Sequence, residues 1–102
     1  MQIREITPDD RVGIAGVFQR AFAAAPWKEV WSDDSALALI DEWLLLPRFF
    51  GLVAVSEGTI VGMVFGRFEA WDRKGLFYMK ELCVAPEYQR SGVGAQLNQA
   101  LE

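Results

Sequence analysis

Apolar positions in this chain fall into two periods, and the switch between them marks out the elements. Ile14, Val17, Phe18, Ala21 and Phe22 recur as a single stripe at the α-helical spacing. The stretch before them, Thr7-Pro8-Asp9-Asp10, reads as a helix start. A Thr hydroxyl can accept from an orphan N–H, Pro suits the first helical position, and two carboxylates sit at the positive helix end. Gly13 and Gly16 weaken this helix by about 1 kcal/mol each relative to Ala, though their small size can admit another element. A second stripe, Ala36, Leu39, Ile40, Trp43 and Leu44, opens at Ser32-Asp33-Asp34 and stops before Pro47. Ile3 and Ile6 flank Arg4 and Glu5 in a short opening strand. Residues 49–55 form an apolar run bounded by turn residues, which reads as a buried strand. Ser56-Glu57-Gly58-Thr59 is a tight turn with Gly58 free to take positive φ. Residues 59–68 then return as the second arm of an antiparallel hairpin. A polar loop is expected over 70–75, a third long strand over 76–85 ending at Pro86, and a helix over 92–102. The order β-α-α-β-β-β-loop-α predicts an α+β domain, with a mixed, mostly antiparallel sheet covered by helices.

At 102 residues the chain is one domain. Its 52% hydrophobic and 13% aromatic content supplies a packed core and excludes a disordered chain. The absence of His excludes Ser-His-Asp and Cys-His catalysis and His-ligated metal sites within this chain. The single cysteine, Cys83, excludes an internal disulfide and a Cys cluster for zinc or iron–sulfur. A net charge of −4 argues against a nucleic-acid partner. The opening Met-Gln-Ile-Arg-Glu-Ile-Thr carries charges where a signal peptide needs an apolar stretch. The apolar runs are far shorter than the ~20 residues that span a bilayer. With one Cys and no export signal, the expected setting is cytoplasmic, without membrane or metal.

The chemistry concentrates in Glu81-Leu82-Cys83-Val84-Ala85-Pro86-Glu87-Tyr88-Gln89-Arg90-Ser91-Gly92-Val93-Gly94-Ala95. A buried strand ends at Pro86, and a helix opens near two glycines spaced two apart. Helix N-termini leave N–H groups unpaired and carry partial positive charge. Glycines there let an anion approach the backbone. The residues therefore describe a phosphate or pyrophosphate cradle, with Arg90 as a rim cation and Ser91 as a hydroxyl donor. A Gly-x-Gly pair at a helix start, taken alone, is more often plain turn chemistry. No Gly-Lys-[Ser/Thr] follows, so this is not a Walker loop, and the third glycine of a dinucleotide fingerprint is missing.

Taken whole, Gln89-x-x-Gly92-x-Gly94 after Leu82-x-Val84-x-Pro86 closely resembles the acetyl-CoA-binding motif of the GNAT superfamily of N-acetyltransferases. The element order also matches the first two-thirds of that fold. The resemblance implies acetyl-CoA as cosubstrate. Its pyrophosphate would rest on main-chain N–H groups of Gln89, Arg90, Ser91, Gly92, Val93, Gly94 and Ala95. The pantetheine arm would pair along Leu82, Cys83 and Val84, where an N–H polarises the thioester carbonyl. A primary amine, on a small molecule or a peptide, would attack directly without an acyl-enzyme. Glu81 is the candidate general base, since a protonated amine must lose a proton to become a nucleophile. It reads alternatively as a solvated strand residue or an ion-pair partner of Lys80 or Arg90. Cys83 reads as a small packed hydrophobe, and Phe77 and Tyr88 as packing residues. The segment carrying Trp27 and Trp31 often lines the acceptor site in this family, although core or rim packing also accounts for both. Glu29, Asp33 and Asp34 can attract a cationic acceptor, or serve as helix-start acids on a solvated face.

Members of that superfamily continue with a fifth strand that opens the cofactor slot, a helix that often supplies a Tyr to protonate the leaving thiolate, and a final hairpin. The resemblance here ends at Glu102. The expectation is an incomplete domain of low activity, with an uncovered strand edge at Leu76, Phe77 and Leu82 that favours a homo-oligomer or swapped assembly. Two other classes compete: a non-catalytic GNAT-like module that binds CoA or dimerises, and an unrelated nucleotide-binding α+β domain.

Overall fold

Hydrophobic alternation along three long strands, with helical stripes to cover both sides, produces a single sheet in chain order. The computed structural model describes residues 1–24, 26–71 and 74–101, and the side chains of all of these but 69–71, 74–76 and 78. The strands are β1 (Gln2–Glu5), β2 (Phe49–Ser56), β3 (Thr59–Trp71) and β4 (Lys74–Val84). They lie in the order β1-β2-β3-β4, and every pairing is antiparallel, so the sheet is not mixed. The helices are α1 (Arg11–Ala23), α2 (Asp33–Leu44) and α3 (Val93–Ala100), with 3₁₀ turns at Pro8–Asp10 and Pro86–Tyr88.

The sheet divides the core in two. Val53, Met63, Phe65 and Cys83 pack with Ile14, Val17, Phe18, Ala36 and Ile40 from α1 and α2. Leu52, Ala54, Val61 and Val64 pack with Val93 and Leu97 of α3. Both predicted stripes face inward. Ile14, Val17, Phe18, Ala21, Ala36 and Ile40 are buried, while Phe22, Leu39, Trp43 and Leu44 are half-buried. The hairpin turn has positive φ at both Glu57 (52°) and Gly58 (78°), as the twist of a two-residue connection demands.

Charged side chains fix the helix starts. The Asp10 carboxylate accepts the Thr7 N–H at 2.8 Å and both Arg4 nitrogens at 2.8 Å. The Arg4 guanidinium holds this acid below the ordinary aspartate range. Residues 8–10 therefore close as a 3₁₀ turn, and α1 proper begins at Arg11. Arg11 grips Asp41 at 2.7 and 2.6 Å and clamps α1 to α2. The Ser32 hydroxyl caps α2 by accepting the Ser35 N–H at 3.1 Å.

The polar loop expected over 70–75 is instead mostly ladder: Ala70 pairs with Gly75 and Trp71 with Lys74. Local polarity is a weak guide here because a long partner strand carries the pairing onward. Of the edge residues singled out in the sequence, the Leu76 side chain lies outside the described residues. Phe77 stacks with Phe50 and Phe68 at 6.2 and 5.1 Å, and Leu82 is half-buried against the α3 cluster.

Within its side-chain packing, α3 also comes close to bare backbone at Gly62. A Cβ on Gly62 would stand 3.0 Å from Val93, 3.2 Å from Leu97 and 3.3 Å from the Cys83 carbonyl. Of the two α1 glycines, Gly13 lies close under Ile60, whereas Gly16 has open space around it. Gly62→Ala is expected to destabilise the fold by about 1–3 kcal/mol through overpacking, read as a lower urea midpoint. A midpoint equal to wild type would show that α3 does not bear on this residue.

Candidate functional site

Between the end of α1 and the second half of β4 lies a cavity of about 100 Å³, lined by Ala21, Phe22, Trp27, Glu81, Leu82, Cys83, Val84 and Gln89. It brings together five residues singled out from the loop segment and one of the two tryptophans. Phe22, read as part of a helical stripe, also forms a wall of this cavity. Nothing in a stripe of apolar positions separates a core Phe from one that lines a cavity.

Glu81 sits beside a defect in the ladder. It pairs with Phe65, while Met79 pairs with Gly66, so Lys80 is the extra residue of a bulge. Bulges re-aim side chains and end regular pairing. Glu81 is half-buried, and desolvation raises its carboxyl above the ordinary value of 4.5, partly offset by the Leu82 N–H and the Lys80 charge. It forms no ion pair with Lys80 or Arg90 among the described residues. Two strand positions on, Cys83 is 4% exposed. Burial first, and the Glu81 charge second, push its thiol up to about 12. A thiol so placed is not a thiolate at neutral pH and cannot serve as the nucleophile.

The loop leaves the sheet held by several local hydrogen bonds. The Ala85 N–H still donates to the Val61 carbonyl at 2.8 Å. Gln89 N–H then donates to Pro86 O at 3.2 Å and Ser91 N–H to Tyr88 O at 3.3 Å. The Ser91 hydroxyl also donates to the Tyr88 carbonyl. The Gln89 side-chain amide donates to the Val84 carbonyl at 3.1 Å, pinning the loop to the end of β4. This clamp lies within the recognised motif, but its partner five residues back is a backbone atom that no sequence pattern marks. The donors of Gln89 and Ser91 are thus turned inward. The N–H groups of Val93, Gly94 and Ala95, in the first turn of α3, have no acceptor within the helix.

Two glycines keep the space over that turn clear. Gly92 caps α3 at φ 89°, and a Cβ there would meet nothing within 4 Å. A Cβ on Gly94 would make only ordinary contacts, 3.8 Å from Val84 and 3.9 Å from Leu82. Arg90 is exposed at the rim, with φ 68°. Tyr88 packs against the α3 cluster, and Glu87 ties the loop to Arg20 of α1 at 3.5 Å.

The tryptophans separate. Trp27 stacks on Phe22 at 5.5 Å and lines the cavity. Trp31 packs edge-on against Phe18 at 4.9 Å, on the core side of α1, and its indole N–H donates to Glu29 at 3.3 Å. Asp33 accepts the Gln19 amide at 2.8 Å, and Asp34 is exposed. No cluster of acidic and cysteine side chains among the described residues could hold a metal ion. No helix among them is long and apolar enough to cross a membrane.

Residues 16–102 match the model of the acetyltransferase (GNAT) family. Solved structures share the fold. A possible acetyltransferase from Clostridium difficile 630 superposes with a TM-score of 0.78 at 21% identity, covering 98% of this chain and 67% of that one. The aminoglycoside N-acetyltransferase AAC(6')-Iy, in complex with CoA, gives 0.70 at 20% identity, covering 98% and 65%. An integron cassette protein from the mobile metagenome of V. cholerae gives 0.80 at 18% identity, covering 98% and 64%. The chain thus spans about two thirds of the length of these proteins. No curated protein matches it significantly.

Because the fold raises the Glu81 pKa, the folded state binds this proton more tightly than the unfolded chain. This contribution to stability is present below the ordinary value of 4.5 and is lost as pH rises through the raised one. Glu81→Gln is expected to gain stability relative to wild type between acid and neutral pH, seen as diverging urea midpoints. Parallel midpoints across that range would mean the carboxyl is not desolvated.

Proposed function

The chain belongs to the GNAT acetyltransferase family, and on that footing we propose that it binds acetyl-CoA and transfers the acetyl group to a primary amine by direct attack. The observation that carries this reading is the glycine-cleared first turn of α3 set beside the open end of β4, with Glu81 in the adjoining cavity. Phosphate oxygens suit the N–H groups of Val93, Gly94 and Ala95 and the partial positive charge of the helix end, with Arg90 at the rim. Residues 82–84 offer the outer edge of β4 to an extended arm, since no described strand lies beyond it.

When bound, acetyl-CoA supplies a thioester with an electrophilic carbonyl and a thiolate leaving group. Glu81 takes one proton from the acceptor ammonium, giving the free amine. A C–N bond forms, the C–S bond breaks, and the second nitrogen proton leaves with the thiolate. Cys83 takes no part, because its thiol stays protonated. Phe22 and Trp27 are apolar walls of the cavity beside Glu81. A cytoplasmic setting accords with a chain whose one thiol is buried and unpaired.

Gly94→Val tests the cradle directly, because a Cβ at this position makes only ordinary contacts within the protein. Calorimetry is expected to show acetyl-CoA affinity falling at least about tenfold, with the melting temperature nearly unchanged. Unchanged affinity would place the pyrophosphate elsewhere. Glu81→Gln should lower thiol release with a primary amine by about 10²–10⁴-fold.

The same outer edge of β4 suits pairing with a second copy, giving a homo-oligomer or a swapped assembly. Light scattering at micromolar concentration reads this, and a monomer alone would remove the assembly without touching the chemistry.

A further inference from the structure

Trp27 lines the Glu81 cavity, yet 56% of its surface remains exposed. A large apolar ring left in water forgoes the stabilisation that burial supplies. The backbone nevertheless holds it there. α1 ends at Ala23, and two bonds turn the chain back: the Lys28 N–H donates to the Ala24 carbonyl at 3.0 Å and the Glu29 N–H to the Phe22 carbonyl at 2.7 Å. Lys28 takes φ 51° in this turn, in the left-handed region that non-glycine residues seldom occupy. The result is an indole stacked on Phe22, with ring centroids 5.5 Å apart. Trp31, four residues on, packs instead against Phe18. The cavity itself holds about 100 Å³, well below the ~300–1,000 Å³ of pockets that enclose a whole drug-sized ligand. It therefore seats an end group, and whatever carries that group emerges beside the exposed indole.

Resting on the acetyl-transfer reading of the Glu81 site, we propose that the acceptor is a primary amine on an apolar body, an alkylamine or arylalkylamine, and that Trp27 is the residue that selects it. The ammonium end enters toward Glu81. The first carbons of the chain lie among Phe22, Leu82 and Val84, which are apolar walls of the same cavity. The remainder covers the Trp27 ring and removes both apolar surfaces from water. A hydroxyl-rich body loses on both counts: its hydroxyls give up water against the indole, and the walls of Phe22, Leu82 and Val84 offer them no side-chain partner. The left-handed turn at Lys28 serves this role by fixing the ring before the acceptor arrives, which lowers the entropy lost on binding.

The test is an NMR titration of the full chain, read at the Trp27 indole N–H and at the amides of residues 89–95. Loss of one indole signal in Trp27→Phe identifies the first probe. The ligands are the n-alkylamines from propyl to hexyl, with 2-(2-aminoethoxy)ethanol as the polar match of n-hexylamine and n-hexanol as its uncharged match. The alkylamines are expected to shift the Trp27 signal saturably, with affinity rising about three- to fourfold per added methylene. Both matched compounds should bind at least about tenfold more weakly than n-hexylamine. Trp27→Ala should flatten the dependence on chain length, and Trp27→Phe should keep most of it. Both variants should leave the acetyl-CoA shifts at residues 89–95 intact. Affinity independent of chain length, equal binding of either matched compound, or an unchanged series in Trp27→Ala would overturn the inference. Loop shifts with acetyl-CoA beside a flat amine series would remove this inference alone. Absence of the loop shifts would instead remove the acetyl-CoA reading.

Discussion

The contact between α3 and the bare backbone of Gly62 governs the rest of the site. A helix end can present main-chain donors to a ligand only if the helix itself is held still, and eight residues of helix have little stability of their own. Val93 and Leu97 are buried on the β3 surface because Gly62 offers no side chain there. The loop before the helix is fastened twice more, by Ala85 to Val61 and by the Gln89 amide to Val84. The sheet, not the loop, thus sets where the first-turn N–H groups point.

The other organising feature is a change of electrostatic character along β4. At Cys83 the environment is apolar enough to silence a thiol. At Glu81 partial burial raises a carboxyl above its ordinary value. At Met79 and Lys80 the side chains are exposed. One strand therefore passes from packed core to half-buried carboxyl to exposed surface within a few residues. A regular ladder would alternate these faces, and the bulge opposite Phe65 interrupts that alternation where it matters.

Much of this was legible in the residues. The two helical stripes, the Ser32 cap and the Glu57-Gly58 turn follow from local periodicity and turn chemistry, which are short-range causes. The glycine loop before α3 was legible because Gln89, Gly92 and Gly94 lie within one stretch of chain. What escaped the sequence is what depends on distant partners. The ladder runs through Ala70 and Trp71 because β4 is there to pair with them, although the local letters look like a loop. Asp10 reads as a helix-start acid, but its grip on Arg4 needs β1 beside it. Trp27 and Trp31 look equivalent in sequence, yet α1 turns one toward the cavity and the other toward Phe18. The extra residue at Lys80 leaves no trace in hydrophobic patterning at all.

The strand order has a consequence for how the chain reaches this state. β2, β3 and β4 follow one another as a meander of neighbouring strands, so their pairings close short loops and can form early. β1 is different. Glu5 must find Leu52 across both N-terminal helices, and the entropy of closing that long loop is recovered only once β2 is in place. β1 is therefore made well before the strand it pairs with. Until β2 has been made, residues 2–5 stay outside the sheet, with Arg4 and Glu5 among them to discourage stray pairing.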